Sequence, residues 1–239
     1  MLLNMEKDAI RETVWDALEE EKIARFPFPP HGRIPNVAGA SAAAERLVGT
    51  AEWKGADAIK INPDSPQRPV RKRALQAGNR LFMAVPRLQD PQPFLELDGT
   101  TIDDEHEAST IGGAAEYGEP VDVVDMPTID LVVSGSVAVD VEGGRIGKGE
   151  GYSDLEYAIL REFDRIDVTT PVATTVHERQ LWDEPLPTDS HDVPMNLIVT
   201  AERIVRPPTP STVPDGIDWS HLDDETVAEI PVLERLSTD

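Results

Sequence analysis

Residues Arg145-Ile-Gly-Lys-Gly-Glu-Gly-Tyr-Ser-Asp154 hold the densest chemistry in this 239-residue chain. Gly147, Gly149 and Gly151 alternate, Arg145 precedes them, Lys148 lies among them and Asp154 follows. Glycines let backbone N–H groups crowd an anion without Cβ clashes. An apolar run, Ile129-Asp-Leu-Val-Val133, stands upstream and an amphipathic pattern downstream. A turn between strand and helix adds the partial positive charge of the helix N-terminus. Arg145 and Lys148 carry charge that neutralises phosphate oxygens. Asp154 is a ligand type that Mg²⁺ takes together with phosphate oxygens. The spacing is neither G-x-G-x-x-G nor G-x-x-x-x-G-K-[ST]. From the residues alone, a nucleotide-phosphate loop and a solvated glycine-rich hairpin are equally good readings.

Other candidates are single residues. Lys7 and Arg11 are four apart on a predicted helix and point the same way, off its apolar stripe; by type they are solvated helix charges. Arg33 and Asn36 stand in a loop between glycine and proline. They contact a substrate there, or Asn36 simply turns the chain. Asp64, between Pro63 and Pro66, reads equally as an Asx turn. Arg68, Arg71 and Arg73 read as a solvated helix face. His177 follows a strand end, without the carboxylate or cysteine neighbours of a zinc site. His31, His106, His191 and His221 have no distinctive context.

The elements that must position these residues alternate in period. Residues 5–25 form a predicted helix with Ile10, Val14, Ala17 and Leu18 on one stripe, stopped by Phe26-Pro-Phe-Pro-Pro30. Ala40–Val48 is a short helix and Ala58–Ile61 a strand. Ser65-Pro66 supplies an N-cap and N1 proline for a helix ending at Gly78. Leu81–Val85 and Phe94–Leu97 are strands, and 104–116 a helix weakened by Gly112-Gly113. Ile129–Val133 and Val137–Val141 are strands flanking a Ser-Gly-Ser turn. Ser153 caps a helix to about Arg165 with Leu155, Ile159 and Phe163 inward. Strands Val172–Val176 and Asn196–Thr200 follow. Alternating strands and helices predict an α/β fold with a mostly parallel sheet covered on both faces. Ligands in such sheets sit at the carboxyl ends of strands. Pro207, Pro208, Pro210 and Pro214 predict an extended linker, and 218–230 a capped helix with Trp219 and Leu222. The expected division is an α/β domain at 1–206 and a docking extension at 207–239.

Composition narrows the function classes. At 39% hydrophobic and 28% charged residues, the chain has the makings of a cored soluble protein. No apolar run approaches the roughly 18 residues that span a bilayer. The first residues lack the pattern of a signal peptide, so a cytoplasmic location is expected. With no cysteine, disulfides, thiolate metal sites and cysteine nucleophiles are excluded. The net charge is −23, from 45 acidic and 22 basic residues of which six are lysines. That balance reads as adaptation to molar salt, where a Debye length of about 3 Å screens carboxylate repulsion, or as a merely acidic protein. No face collects basic residues, so nucleic acid is not an expected partner.

The loop resembles the R-x-G-x-G-x-G-Y-Y-D signature of the 5-formyltetrahydrofolate cyclo-ligase family, or methenyltetrahydrofolate synthetases. Asp130-Leu-Val-Val-Ser-Gly-Ser-Val-Ala-Val-Asp140 is similar to the family's preceding strand and turn. Val172-Ala-Thr-Thr-Val-His-Glu-Arg-Gln180 and Leu186–Thr200 resemble its last strands, and Lys7 with Arg11 its N-terminal cation pair. The likeness covers roughly residues 5 to 205. Gly32-Arg-Ile-Pro-Asn36, Lys60-Ile-Asn-Pro-Asp-Ser-Pro-Gln-Arg68 and Gly147–Tyr157 look like the branch of methenyltetrahydrofolate synthetase domain-containing proteins.

The resemblance implies a Rossmann-like three-layer sandwich, shared with ribose-5-phosphate isomerase-like and CoA-transferase-like proteins. It implies cyclisation of 5-formyltetrahydrofolate to 5,10-methenyltetrahydrofolate with ATP and Mg²⁺, by a monomer or small homo-oligomer. In that chemistry the formyl oxygen is phosphorylated, N10 closes the ring and phosphate leaves, so positioning and charge neutralisation count for more than a protein nucleophile. Lys7, Arg11, Arg145, Lys148 and the amides of Gly147, Gly149 and Gly151 are implied phosphate ligands, and Asp154 the metal ligand. Tyr152 is implied to pack beside nucleotide or pterin, Asp64 to face the formyl-bearing pterin, and Arg33, Asn36 and His177 to contact substrate. Two residues depart from the pattern: Glu150 replaces a loop cation and Ser153 a tyrosine. Two unit charges 4 Å apart interact by about 4 kcal/mol at an effective dielectric near 20. Glu150 therefore turns outward, helps hold the metal, or marks a loop for a less anionic ligand. A diverged binding protein without turnover, or an ATP-dependent enzyme acting on another heterocycle, is the alternative.

Overall fold

A computed structural model describes residues 6–208 and 213–237. The chain begins with α1 (Lys7–Glu20), α2 (Ala40–Val48), α3 (Ala51–Lys54), β1 (Ala58–Ile61), α4 (Arg68–Gln76), β2 (Arg80–Ala84) and β3 (Phe94–Asp98). It continues through α5 (Glu105–Ala108), α6 (Ile111–Tyr117), β4 (Glu119–Val121), β5 (Leu131–Val133), β6 (Ala138–Asp140), β7 (Arg145–Ile146) and α7 (Tyr152–Glu162). Then follow β8 (Val172–Thr175), β9 (Leu181–Trp182), β10 (Leu197–Val199), β11 (Ile204–Val205), α8 (Asp224–Glu229) and α9 (Pro231–Ser237).

The main sheet has the order β11-β10-β8-β5-β1-β2-β3-β4. Its middle, β10-β8-β5-β1-β2, is parallel, while β3, β4 and β11 pair antiparallel at the flanks. Side chains alternate between the two faces, as a strand's period of two requires. Ile59, Ile61, Leu81, Met83, Leu131 and Val133 pack with α2 and α4. Ala58, Phe82, Ala84, Val132, Val172 and Ile198 pack with Tyr157, Ile159 and Leu160 of α7. Both faces are covered, as predicted. A second sheet, β7-β6-β9, packs one face on Ile10, Val14 and Leu18 of α1, while Val139 and Leu181 join the core on the α7 face of the main sheet.

Several expectations change. The first helix ends at Glu20, not 25: Lys22 takes a left-handed φ of 57°, and Ile23 and Ala24 donate back to Leu18 O. The turn lets Ala24 bridge Val37. Residues 104–116 form two helices, because Thr110 accepts from Gly113 N and restarts the helix. Ser65–Gln67 is a 3₁₀ turn leading into α4, and no side chain caps it. β5 and β6 do not form a hairpin; the chain leaves one sheet at Ser134 and enters the other after Ser136. Ser153 lies inside α7, whose cap is Gly151 at φ 74°.

The expected linker falls partly on residues 209–212, outside the described residues. Beyond it, Ile217, Ile230, Val232 and Leu233 are buried against the α7 face of the sheet. Residues 218–230 are a 3₁₀ turn at Trp219–His221 and then α8, because Asp223 accepts from Thr226 N and opens a new helix.

Candidate active site

A cavity of about 470 Å³ opens at the carboxyl ends of β1, β2 and β5. The chain reverses direction across the sheet between β1 and β5, the crevice where open α/β sheets bind ligands. Asn62, Pro63 and Asp64 enter from the end of β1, Gly135 from β5, and Val85, Pro86 and Arg87 from β2. Its lining includes the apolar side chains of Ile34, Met83, Leu95 and Ile111. Charged residues also line it, among them Asp64, Arg145, Lys148, Glu150 and Asp154, with Ile34 next to Asp64 around Gly135. Both the volume and the mixture suit a small-molecule site.

The floor is a buried ionic network. Strand alternation points Lys60, between Ile59 and Ile61, at the α7 face, where it pairs with Glu156; both residues are almost fully buried. Lys60 Nζ also donates to Asn62 Oδ1 (2.7 Å), and Asn62 Nδ2 to Ser153 Oγ (3.1 Å). Burial raises the Glu156 pKa, against the pull of Lys60. Arg71 is 1% exposed, so it is no part of a solvated face. It donates to the carbonyls of Asn62 (2.6 Å), Asp64 (2.9 Å) and Ser109 (2.9 Å), clamping the loop after β1. Burial lowers its pKa to about 10, against the pull of Asp64. The same burial raises the Asp64 pKa, although Lys148, Arg71, Lys60 and Arg145 oppose it. Gly135 permits this crowding: a Cβ there would stand 2.8 Å from Asp64 Oδ2 and 3.0 Å from Ile34.

The glycine loop runs from β7 to α7. Arg145 is buried; it donates to Gly135 O (3.1 Å) and pairs with Asp154 Oδ2 (2.9 Å). Its Nε has no hydrogen-bond partner among the described residues. Asp154 Oδ1 accepts from Val193 N (3.0 Å). Lys148 pairs with Glu150 at 2.7 Å, so the departing carboxylate is neutralised inside the loop. Gly147, Lys148, Gly151 and Tyr152 line the cavity. Gly149 has φ 108° beside the Arg11 guanidinium, and Arg11 Nε donates to Gly147 O (2.7 Å). Lys7 pairs with Asp189 and Asp192. Burial alone would lower the Lys7 pKa, but the hydrogen bonds to those carboxylates hold it above its usual value. A second cavity, of about 440 Å³, lies beyond Arg145 among Asp140, Glu142, Asp189 and Asp192. Its carboxylates disfavour a polyphosphate.

The structure thus gathers Asp64, Arg145, Lys148, Gly147, Gly151, Tyr152 and Asp154 at one cavity, with Arg11 and Gly149 on the loop's outer side. It leaves four candidates apart, the first being Lys7, held by Asp189 and Asp192 at the edge of the second cavity. Asn36 spends its side chain on Phe26 O (2.8 Å) and Val37 N (3.1 Å), which turn the chain. His177 Nδ1 accepts from Arg179 N (3.1 Å), and burial lowers its pKa. Arg33 is half-buried outside the cavity, its carbonyl accepting from Trp15 Nε1 (3.0 Å). Lys60, Asn62, Arg71 and Glu156 escape the sequence reading. A lone lysine in an apolar strand was the available signal, since buried it demands a carboxylate from the facing helix.

A mostly parallel α/β sheet with a cation-bearing glycine loop and a cavity at its carboxyl edge defines the class: an open, doubly wound α/β protein. The 5-formyltetrahydrofolate cyclo-ligase family model matches residues 4–201, and the chain belongs to that family. It is 39% identical over 233 residues to the bovine methenyltetrahydrofolate synthase domain-containing protein, covering 96% of this chain and 61% of that protein. The chain thus spans less than two thirds of that relative's length. A probable 5-formyltetrahydrofolate cyclo-ligase of Schizosaccharomyces pombe is 25% identical over 180 residues, covering 68% of this chain and 83% of that protein. The NMR structure of Aquifex aeolicus 5,10-methenyltetrahydrofolate synthetase shares the fold. Its TM-score is 0.54 at 19% identity, covering 91% of this chain and all of that one. Among the described residues no helix is long and apolar enough to cross a membrane.

Proposed function

We propose that the protein cyclises 5-formyltetrahydrofolate to 5,10-methenyltetrahydrofolate, using ATP and Mg²⁺. The observation that carries this reading is one cavity lined both by apolar side chains and by Arg145, Lys148 and the glycine loop. The apolar side chains suit a pterin, the loop a phosphate chain. The residues fit the absent groups: glycines at positive φ, the free Arg145 Nε and Lys148 suit phosphate oxygens. Asp154 keeps lone pairs for a metal, although Arg145 and the Val193 amide share its oxygens. When bound, ATP supplies the phosphoryl group that turns the formyl oxygen into a leaving group, and Mg²⁺ spreads its charge. Arg145 holds Asp154 in place and keeps its guanidinium charge beside the phosphates. Lys148 exchanges Glu150 for phosphate. Asp64 faces the polar end of the pterin. Small-molecule turnover in the cytoplasm, without nucleic acid, completes the reading.

The Lys148–Glu150 pair favours a second reading, a diverged binder whose loop cation is already neutralised. One assay separates the two. Methenyltetrahydrofolate has its own near-ultraviolet absorbance, so its formation from 5-formyltetrahydrofolate is followed directly with ATP and Mg²⁺. Turnover by the wild type, lost in Arg145→Leu, is the expected result. ATP binding without product, with activity gained in Glu150→Lys, establishes the second reading. Absence of product from both variants and wild type removes folate as the substrate.

A further inference from the structure

Two histidines without sequence context meet in space. His191 stands on the loop before β10, His221 in the C-terminal extension, with ring centroids 4.6 Å apart and planes inclined by 50°. Asp218 completes the group: one ring nitrogen of each histidine and one Asp218 oxygen all lie within 4.8 Å of one another. Asp218 Oδ2 is 2.8 Å from His221 Nδ1. His191 Nδ1 is buried and has no hydrogen-bond partner among the described residues. Around a tetrahedral ion with bonds of about 2.0–2.1 Å, ligand atoms stand roughly 3.3 Å apart.

Charge points the same way. Asp189 and Asp192 lie beside His191, and Lys7 pairs with both. With Asp218, three carboxylates face one ammonium, and a dication balances the deficit. Two imidazoles select a borderline transition ion over Mg²⁺, which takes oxygen ligands.

We propose that His191, Asp218 and His221 bind one divalent transition ion of the zinc class. Three protein ligands leave the fourth position to water. The ion fastens the C-terminal extension to the loop whose Val193 amide holds Asp154. The site is separate from the cavity and does not depend on the proposed reaction.

The test uses the full chain stripped with EDTA. Co²⁺ is titrated by visible absorbance, and Zn²⁺ affinity is taken from competition. A single equivalent binding at micromolar or tighter concentration is expected, undisturbed by excess Mg²⁺. His191→Gln and His221→Gln each weaken binding at least about tenfold, and the double variant abolishes it. Zn²⁺ slows hydrogen exchange several-fold at residues 213–223 in the wild type only. Melting of the metal-free variants checks folding; if either histidine variant melts early, Asp218→Asn serves with the same expected loss. The proposal is overturned by no saturable binding below roughly 100 µM, by wild-type affinity in folded variants, or by binding that leaves exchange at 213–223 unchanged.

Discussion

Replacing Lys60 by methionine isolates the ionic floor of the site. Methionine fills much of the same volume but leaves Glu156 buried with no cation in contact. Removing one partner of a buried pair costs about 3–5 kcal/mol, because the survivor keeps its desolvation penalty. For a chain of this size each kcal/mol lowers the melting midpoint by about 2–4 °C, so a fall of roughly 6–20 °C is expected. The pH dependence has a definite sign. Burial already lifts the Glu156 pKa, and loss of Lys60 lifts it further. A raised carboxyl pKa disfavours folding above the folded-state pKa, and the penalty vanishes below the unfolded value. The deficit of Lys60→Met should therefore shrink as pH falls from about 7.5 to about 5. Lys60→Met with Glu156→Leu removes both charges and should recover most of the stability. Urea unfolding of wild type, single and double variants measures this. A single variant costing under about 1 kcal/mol, or a deficit independent of pH, would refute a buried ion pair.

Three further outcomes are expected. Asp64→Asn should stabilise the protein at neutral pH while depressing turnover. The raised Asp64 pKa is a penalty present above its folded value and absent in acid, so the gain, read by urea unfolding, should fade as pH drops. Gly149→Val places a Cβ about 3.4 Å from Arg11 Cζ at φ 108°. Calorimetry should show weakened ATP binding, with backbone strain of about 1–3 kcal/mol visible in the melt; equal affinities would dismiss the loop as the nucleotide site. With a net charge of −23, the melting midpoint should rise from roughly 0.1 to 3 M KCl, and a flat midpoint would dismiss adaptation to salt.

The parallel sheet was legible because its strands are short apolar runs separated by amphipathic helices. The loop's place at the sheet's carboxyl edge was legible from the strand before it and the helix after it, while the residues alone left its role open between a phosphate loop and a solvated hairpin. The ionic floor was not, since a pairing of Lys60 with Glu156 depends on which helix crosses which strand. Arg71 misled for a related reason: its helix spacing is that of a surface residue, and only the folded loop after β1 gives it three carbonyls. The separation of β5 from β6 was hidden too. Ser134-Gly-Ser136 has the composition of a hairpin turn, but β5 pairs with β1 and β8 instead. His191 and His221 meet only because the extension folds back on the body.

That departure of the chain at Ser134 makes the cavity a caliper. Asp64 rides on one jaw, the large sheet. Arg145 rides on the other, the small sheet cored against α1. Substitutions along the seam, at Val137 for example, should reset the gap between acid and guanidinium without replacing a residue that lines the cavity. The opening of the jaws is thus a quantity that drift can adjust in small steps, which gives one scaffold a route to ligands of different thickness.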